Sequence, residues 1–292
     1  MPIDCINGIT DEKMINHLFL LRGLIQERTG LFFRDYQGLA VIAARLTPRL
    51  EKTGCRSFLE YYRLLSDGGI TCANEWLHVV ASLSKSKSSF YRHTKRAQLL
   101  VDTVIPQLLL NGCTETLRIW SAGCSTGEEP LTIAMALTEA GWFDRIQIEL
   151  FGSDASFIAI EKAERGVYSE SRIRDLSPEL RFKYFTPAKE GWEVKPEFHK
   201  RIQYSVTNLM SESEIAEFAT VHIIFCCNVF IYFSAAAINQ TLRLFGKRMA
   251  AGGYLFTDNG DYFESLMSEV SFFERQELSG ASIWIKRIGS TP

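Results

Sequence analysis

Residues 120–130 read WSAGCSTGEEP, where an apolar run gives way to two glycines, Gly123 and Gly127, and then to two acids, Glu128 and Glu129. A glycine-rich loop that opens a helix is ordinarily an anion site, because free backbone N–H groups and the positive end of the helix dipole attract phosphate. Glu128 and Glu129 would repel one. A mononucleotide loop needs G-x-x-x-x-G-K-[ST], with its lysine on the phosphates, and here acids stand in that place. A dinucleotide fold prefers G-x-G-x-x-G, whereas these glycines are spaced G-x-x-x-G. The loop therefore predicts a ligand that approaches the backbone closely and is attracted by carboxylates.

S-adenosylmethionine meets those terms, being a nucleoside without phosphate that carries an α-amino group and a sulfonium cation. Gly123 and Gly127 permit the close approach, and either Glu128 or Glu129 could accept from the amino group. Asp154, 27 positions after Gly127, falls where doubly wound folds place an acid on ribose hydroxyls. Each acid taken singly has a plainer use: glutamates favour a helix N-terminus, and Asp154 could cap the helix that follows.

The elements that must position these residues change character along the chain. From Thr10, a cap with Asp11 and Glu12 in the first turn, Met14, Leu18, Leu21 and Ile25 recur at helical spacing until Gly30. The next thirty residues continue in the same style, with Pro48 expected to kink or restart the helix. SKSKSS, residues 84–89, marks the expected boundary. Beyond residue 115, apolar strands (LRIWSAG, IQIELFGSD, VHIIFCC, YLFTD) alternate with helices and close on VSFFERQEL and SGASIWIKRI. The predicted fold is α/β: a doubly wound, Rossmann-like domain at 89–292 with a small antiparallel β insertion at about 180–206, preceded by an all-helical N-terminal domain and linker at 1–88.

Composition sets bounds on function. Of 292 residues 46% are hydrophobic, enough for a real core, and the net charge of −2 is too balanced to imply nucleic acid as a main partner. Residues 1–95 carry 13 Lys/Arg against 9 Asp/Glu, a mildly basic half beside an acidic remainder. No signal or membrane segment is visible, since the longest apolar run, IIFCCNVFIYF, is broken by Asn228. Seven scattered cysteines read as reduced thiols, so a cytoplasmic location is expected.

Four stretches resemble the bacterial chemotaxis-receptor glutamate O-methyltransferases, the CheR family, over nearly the whole chain. RTGLFFRDYQGLAVIAARLTPRLEKTGCRSFLEYYRLL looks like the family's helical N-terminal domain, and SKSKSSFYR like its linker motif T-N-x-T-x-F-F-R. WSAGCSTGEEPLTIAM looks like its most distinctive loop, and IIFCCNVFIYF like its strand C-R-N-V-x-I-Y-F. The resemblance implies S-adenosylmethionine as methyl donor, S-adenosylhomocysteine as by-product and no metal. It implies that Ser86, Ser88 and Arg92 reach the cofactor from the linker, that Glu128 or Glu129 and Asp154 hold its amino and ribose groups, that Asn208 and Leu209 lie by the adenine, and that Asn228 and Val229 line the methionine side.

The implied substrate is a glutamate side chain on a chemoreceptor or related coiled-coil signalling protein, met by a monomeric enzyme without membrane insertion. Glutamate, with a pKa near 4.3, is already ionised at neutral pH, so no strong general base is required. Catalysis then rests on holding a carboxylate oxygen in line with the methyl group. Arg92 is the expected clamp, with two donors for a carboxylate, and Tyr232 either donates a hydrogen bond or shapes the methyl passage. Arg45, Arg49, Lys52 and Arg56, at steps of four, three and four on one helix face, read either as a solvated face or as the surface that meets acidic receptor helices.

The chain departs from the family at several of these positions. The arginine before the Asn-Val pair is Cys227, the linker asparagine and threonine are Ser86 and Ser88, and G-H-S-E reads TDNG at 257–260. Two other readings therefore stay open: a methyltransferase of the same fold with another substrate, and a non-catalytic cofactor-binding signalling module. With no appended repeat domain after the final hairpin, tethering to a receptor tail would fall to the core itself.

Overall fold

The computed structural model describes residues 11–84, 88–92, 94–112, 116–218, 220–258, 261–278 and 281–289. The chain divides into two units, Met1–Lys85 with Ile231–Ile238, and Ser86–Phe230 with Asn239–Pro292.

The first unit is built on α1 (Glu12–Thr29), α2 (Asp35–Thr53), α3 (Phe58–Ser66) and α4 (Ile70–Leu83). Asp11, whose side chain accepts from the Lys13 N–H at 2.9 Å, caps α1 one residue later than the sequence suggests. The proposed cap, Thr10, lies outside the described residues. Ile15, Leu18, Leu21 and Ile25 share one buried face of α1 and pack in a common core with Leu39, Ile42 and Leu46 of α2, Tyr61 of α3, and Trp76 and Val79 of α4. One helical assignment continues through Pro48. Pro48 and Ala44, whose carbonyl the proline leaves without its helical donor, are both exposed, so water can take that carbonyl.

The basic face of α2 is divided. Arg49 turns inward and pairs with both carboxylate oxygens of buried Glu75, at 2.9 and 2.6 Å, and the Tyr61 hydroxyl donates to the same carboxylate. Burial alone would raise the Glu75 pKa, but the Arg49 guanidinium and the Tyr61 hydroxyl hold it below the usual carboxylate range. Arg45 donates to the Leu83 carbonyl at 2.9 Å, satisfying the end of α4. These two cations are thus committed inside their own domain, and Arg56 falls past the end of α2, a correction to the four-residue docking face; Lys52 and Arg56 remain exposed.

The second unit begins with α5 (Thr94–Leu99), which runs through a π-helical turn into α6 (Ile105–Leu110). Its main sheet contains β1 (Leu117–Ala122), β2 (Ile148–Asp154), β6 (Ile202–Val206), β7 (Val221–Cys226), β8 (Met249–Thr257), β9 (Phe273–Leu278) and β10 (Ala281–Lys286). The order is β6-β2-β1-β7-β8-β10-β9, parallel across the first five and closed by an antiparallel pair. Apolar runs such as IIFC in β7 suit strands covered on both faces by helices, among them α7 (Glu128–Glu139) and α8 (Phe157–Arg165).

A second, three-stranded sheet has the order β3-β5-β4, from β3 (Val167–Tyr168), β4 (Phe185–Ala188) and β5 (Gly191–Val194), with the short helix α9 (Glu170–Ile173) between β3 and β4. The insertion therefore starts earlier than expected, at 167, and stops short of 202–206, which pairs in parallel with β2 as β6. IQYS alternates like an antiparallel edge strand because β6 is itself an edge, with only one neighbour.

Candidate active site

The chain winds outward in both directions from β1, so the carboxyl ends of β1 and β7 open the crevice where doubly wound sheets bind ligands. The loop after β1 uses left-handed backbone at Gly123 (φ +78°), Ser125 (φ +54°) and Gly127 (φ +91°). Gly123 and Cys124 both donate to the Ser153 carbonyl, at 2.7 and 2.8 Å, which ties the loop to the end of β2. A Cβ on Gly123 would stand 2.4 Å from Val229 Cγ2, and one on Gly127 would stand 3.0 Å from the hydroxyls of Tyr168 and Tyr204. The glycines thus permit three elements to converge at one loop.

The acids take separate roles. Glu128 is wholly buried, paired with Arg172 of α9 at 3.2 Å and accepting from Thr126 Oγ1 at 2.7 Å. Glu129 accepts from Ser121 Oγ at 2.7 Å and stays partly open. Protein packs around it densely enough that burial pushes its pKa up, against the pull of the Ser121 and Cys227 hydrogen bonds and of Arg96. Asp154 Oδ2 accepts from the Ser125 N–H at 2.9 Å, and Oδ1 from the Ser156 N–H at 2.8 Å. Asp154 therefore clamps the loop as well as bracing the start of α8, and burial raises its pKa too.

Across the crevice, Asn228 adopts φ +60° and donates its N–H to Asp258 Oδ1 at 2.8 Å. Asn208 forms a local turn, its Oδ1 accepting from Met210 N–H at 3.0 Å, and neighbouring Leu209 is buried. Ser88 gives its carbonyl to Arg172, Phe90 is buried edge-on against Tyr168 and Phe185, and Arg92 stands exposed at the end of that turn. Ser86 lies outside the described residues. Tyr232 falls in Ile231–Ile238, the segment grouped with the helical unit, where its carbonyl accepts from Phe32 N–H at 2.7 Å.

Four further residues carry this site and have no motif to announce them, Arg96, Tyr168, Arg172 and Tyr204, and Ser125 joins them from within the WSAGCSTGEEP loop. Tyr168 OH donates to the Thr126 carbonyl at 2.7 Å, so β3 and α9 of the small sheet both hold the loop. Ser125 Oγ and Tyr204 OH are buried with no partner among the described residues, leaving polar groups beside the crevice. Cys124, Cys226 and Cys227 are buried, and desolvation pushes their thiols well above the usual range, so none is poised as a nucleophile.

Two family models describe nearly all of this chain: "CheR methyltransferase, SAM binding domain" matches residues 86–278, and "CheR methyltransferase, all-alpha domain" matches 16–84. The chain belongs to the CheR methyltransferase family. It is 28% identical over 251 residues to "Chemotaxis protein methyltransferase 2" of Vibrio cholerae, covering 85% of both chains. It is 31% identical over 229 residues to the "Chemotaxis protein methyltransferase" of Borreliella burgdorferi, covering 76% of this chain and 79% of that one. The Escherichia coli protein of the same name is 29% identical over 254 residues, covering 86% and 85%. This CheR chain is thus an S-adenosylmethionine-dependent methyltransferase, and no helix among its described residues is long and apolar enough to cross a membrane.

The crevice suits that cofactor. It offers recessed carboxylates at Glu129 and Asp154 for an ammonium group and hydroxyls, a glycine backbone for close approach, and an apolar wall at Val229.

Proposed function

We propose that this protein transfers the methyl group of S-adenosylmethionine to glutamate side chains of a chemoreceptor or related coiled-coil signalling protein, forming methyl esters. The observation that carries the reading is the convergence of the Gly123 loop, Asp154 and the Asn228-Val229 turn on one crevice of a CheR-family domain. S-adenosylmethionine supplies a methyl group already activated by the sulfonium, and the acceptor carboxylate needs no base to attack it.

The residues of this chain then bind, orient and exclude water. Glu129 takes the amino group of the methionine tail, Asp154 the ribose hydroxyls, and Asn208 and Leu209 flank the base. Asn228 and Val229 line the path to the methyl carbon. Arg92, exposed on its turn, is the clamp for the incoming carboxylate, and Tyr232 is the second group on the substrate side. Lys52 in the last turn of α2 and Arg56 in the turn before α3 are the exposed cations left to meet an acidic receptor helix. The enzyme is proposed to work as a cytoplasmic monomer.

The test is transfer of isotope-labelled methyl groups to a purified receptor cytoplasmic fragment, followed by alkaline release. Labelled methanol, lost when the acceptor glutamates are changed to alanine, supports the reading. Methylation of a different class of acceptor, or cofactor binding with no transfer to any acidic protein, overturns it.

A further inference from the structure

Cys227 follows directly on β7, at the floor of the crevice, where a strand-borne arginine would place a charge beside Glu129. The structure brings that charge from another element. Arg96 of α5 directs Nη1 onto Cys227 Sγ at 2.8 Å and Nη2 onto the Thr257 carbonyl at 2.7 Å. These contacts span 131 and 161 positions of sequence, and they set the guanidinium at the carboxyl ends of β7 and β8. Cys227 Sγ thus accepts from Arg96, and its single S–H is shared between the Phe256 carbonyl, at 3.8 Å, and the neighbouring Glu129 carboxylate.

We propose that Arg96 is a positioning residue of the cofactor pocket, replacing from α5 the charge that position 227 lacks and holding the Glu129 carboxylate anionic and in place for the ammonium group of S-adenosylmethionine. The inference rests on the proposed assignment of Glu129 to that ammonium group.

The surroundings of Glu129 show why a cation is needed there. From β1 it receives the Ser121 hydroxyl, and from the end of β7 the Cys227 thiol. Asp258, after β8, is a like charge that works against its ionisation. The thiols of Cys124 and Cys226 also feel Glu129, but burial keeps both protonated, so they add no charge. Arg96 is a cation that favours the ionised form of Glu129. Two neutral donors and one guanidinium therefore oppose desolvation and Asp258. Removing the guanidinium leaves a recessed carboxylate beside an acid, and such a group takes up a proton at a higher pH. A protonated Glu129 can no longer ion-pair with the incoming ammonium group.

The experiment is calorimetric titration of the full chain with S-adenosylmethionine between pH 5 and 9, for wild type, Arg96→Lys, Arg96→Gln and Arg96→Gln/Cys227→Arg. Wild-type affinity should fall as pH drops through the Glu129 midpoint. Arg96→Gln can still donate a hydrogen bond to the Thr257 carbonyl but carries no charge. It should bind about tenfold more weakly at pH 7, the scale of a lost charged hydrogen bond, with its midpoint moved to higher pH. Arg96→Lys should keep the midpoint, and Cys227→Arg in the Arg96→Gln background should bring it back.

An Arg96→Gln protein that melts like wild type and binds with the same affinity and midpoint overturns the role of Arg96 alone. That role also falls if Arg96→Lys shifts the midpoint as far as Arg96→Gln, or if the double variant recovers nothing. A wild-type protein that binds with no dependence on the ionisation of Glu129, tested as Glu129→Gln, overturns the pocket assignment beneath it.

Discussion

Arg172 and Glu128 meet at 3.2 Å, joining the four-residue helix between β3 and β4 to the first turn of α7, which follows the Gly123 loop. Arg172 also donates to the Ser88 carbonyl, so one guanidinium gathers the linker, the loop and the insertion. The pair explains why two adjacent acids act differently. Glu128 is committed to architecture, which leaves Glu129 for the proposed cofactor contact.

Arg172→Ala should therefore leave a buried carboxylate without its counter-ion and destabilise the protein by about 3 kcal/mol, the usual cost of breaking a buried pair. Cofactor affinity should fall with it. Urea unfolding and calorimetry on the same preparation measure both. Combining Arg172→Ala with Glu128→Gln should recover much of the stability.

Glu129 and Asp154 carry folded-state pKa values raised by burial. A raised carboxylate contributes stability that is complete below its unfolded pKa and is lost as pH rises through its folded pKa. Without cofactor, both sites thus cost stability near neutral pH. Glu129→Gln should raise the melting temperature of the unliganded protein at pH 7, whereas Asp154→Asn, with one acceptor for the Ser125 and Ser156 N–H groups, should not. Each should also weaken S-adenosylmethionine binding by about tenfold or more. Thermal melts with and without cofactor read the trade directly.

Gly123→Ala meets two obstacles, a φ of +78° and a Val229 methyl 2.4 Å from the new Cβ. The backbone strain alone costs about 1–3 kcal/mol. Adding Val229→Ala should relieve the steric part and leave the strain, so the double variant should melt between the single variant and wild type.

Arg49 and the exposed cations Lys52 and Arg56 should separate cleanly. Arg49→Met strands Glu75 beside Tyr61 and should destabilise the helical unit by about 3 kcal/mol. The Glu75 pKa is depressed in the fold, so its contribution is present above its unfolded value, near 4.3, and disappears as pH falls through the lower folded value. The gap between wild type and Arg49→Met should accordingly narrow in acid. Lys52→Glu/Arg56→Glu should melt like wild type but slow methylation of an acidic receptor fragment, with the deficit shrinking at high salt.

The sequence makes the loop, its two glycines, Asp154 and the strands of the main sheet legible, because each rests on local spacing or on an unbroken apolar run. It hides Arg96, Tyr168 and Arg172, which act over 131, 42 and 84 positions respectively and sit in segments with no motif. It also misreads Arg45 and Arg49. A step of four places side chains on one helix face but does not say whether that face meets water or Glu75 on a neighbouring helix. The extent of the insertion is obscured for a similar reason, since β6 alternates like an antiparallel strand while lying at the parallel edge of the main sheet.

The assignment of the crevice is tested most directly by calorimetric titration with S-adenosylmethionine of wild type, Glu129→Ala, Asp154→Ala and Glu128→Gln. Wild type should bind, the first two variants should lose most of the affinity, and Glu128→Gln, whose side chain faces Arg172, should lose less. Wild-type affinity retained by folded Glu129→Ala and Asp154→Ala would contradict the assignment and move the cofactor away from the Gly123 loop.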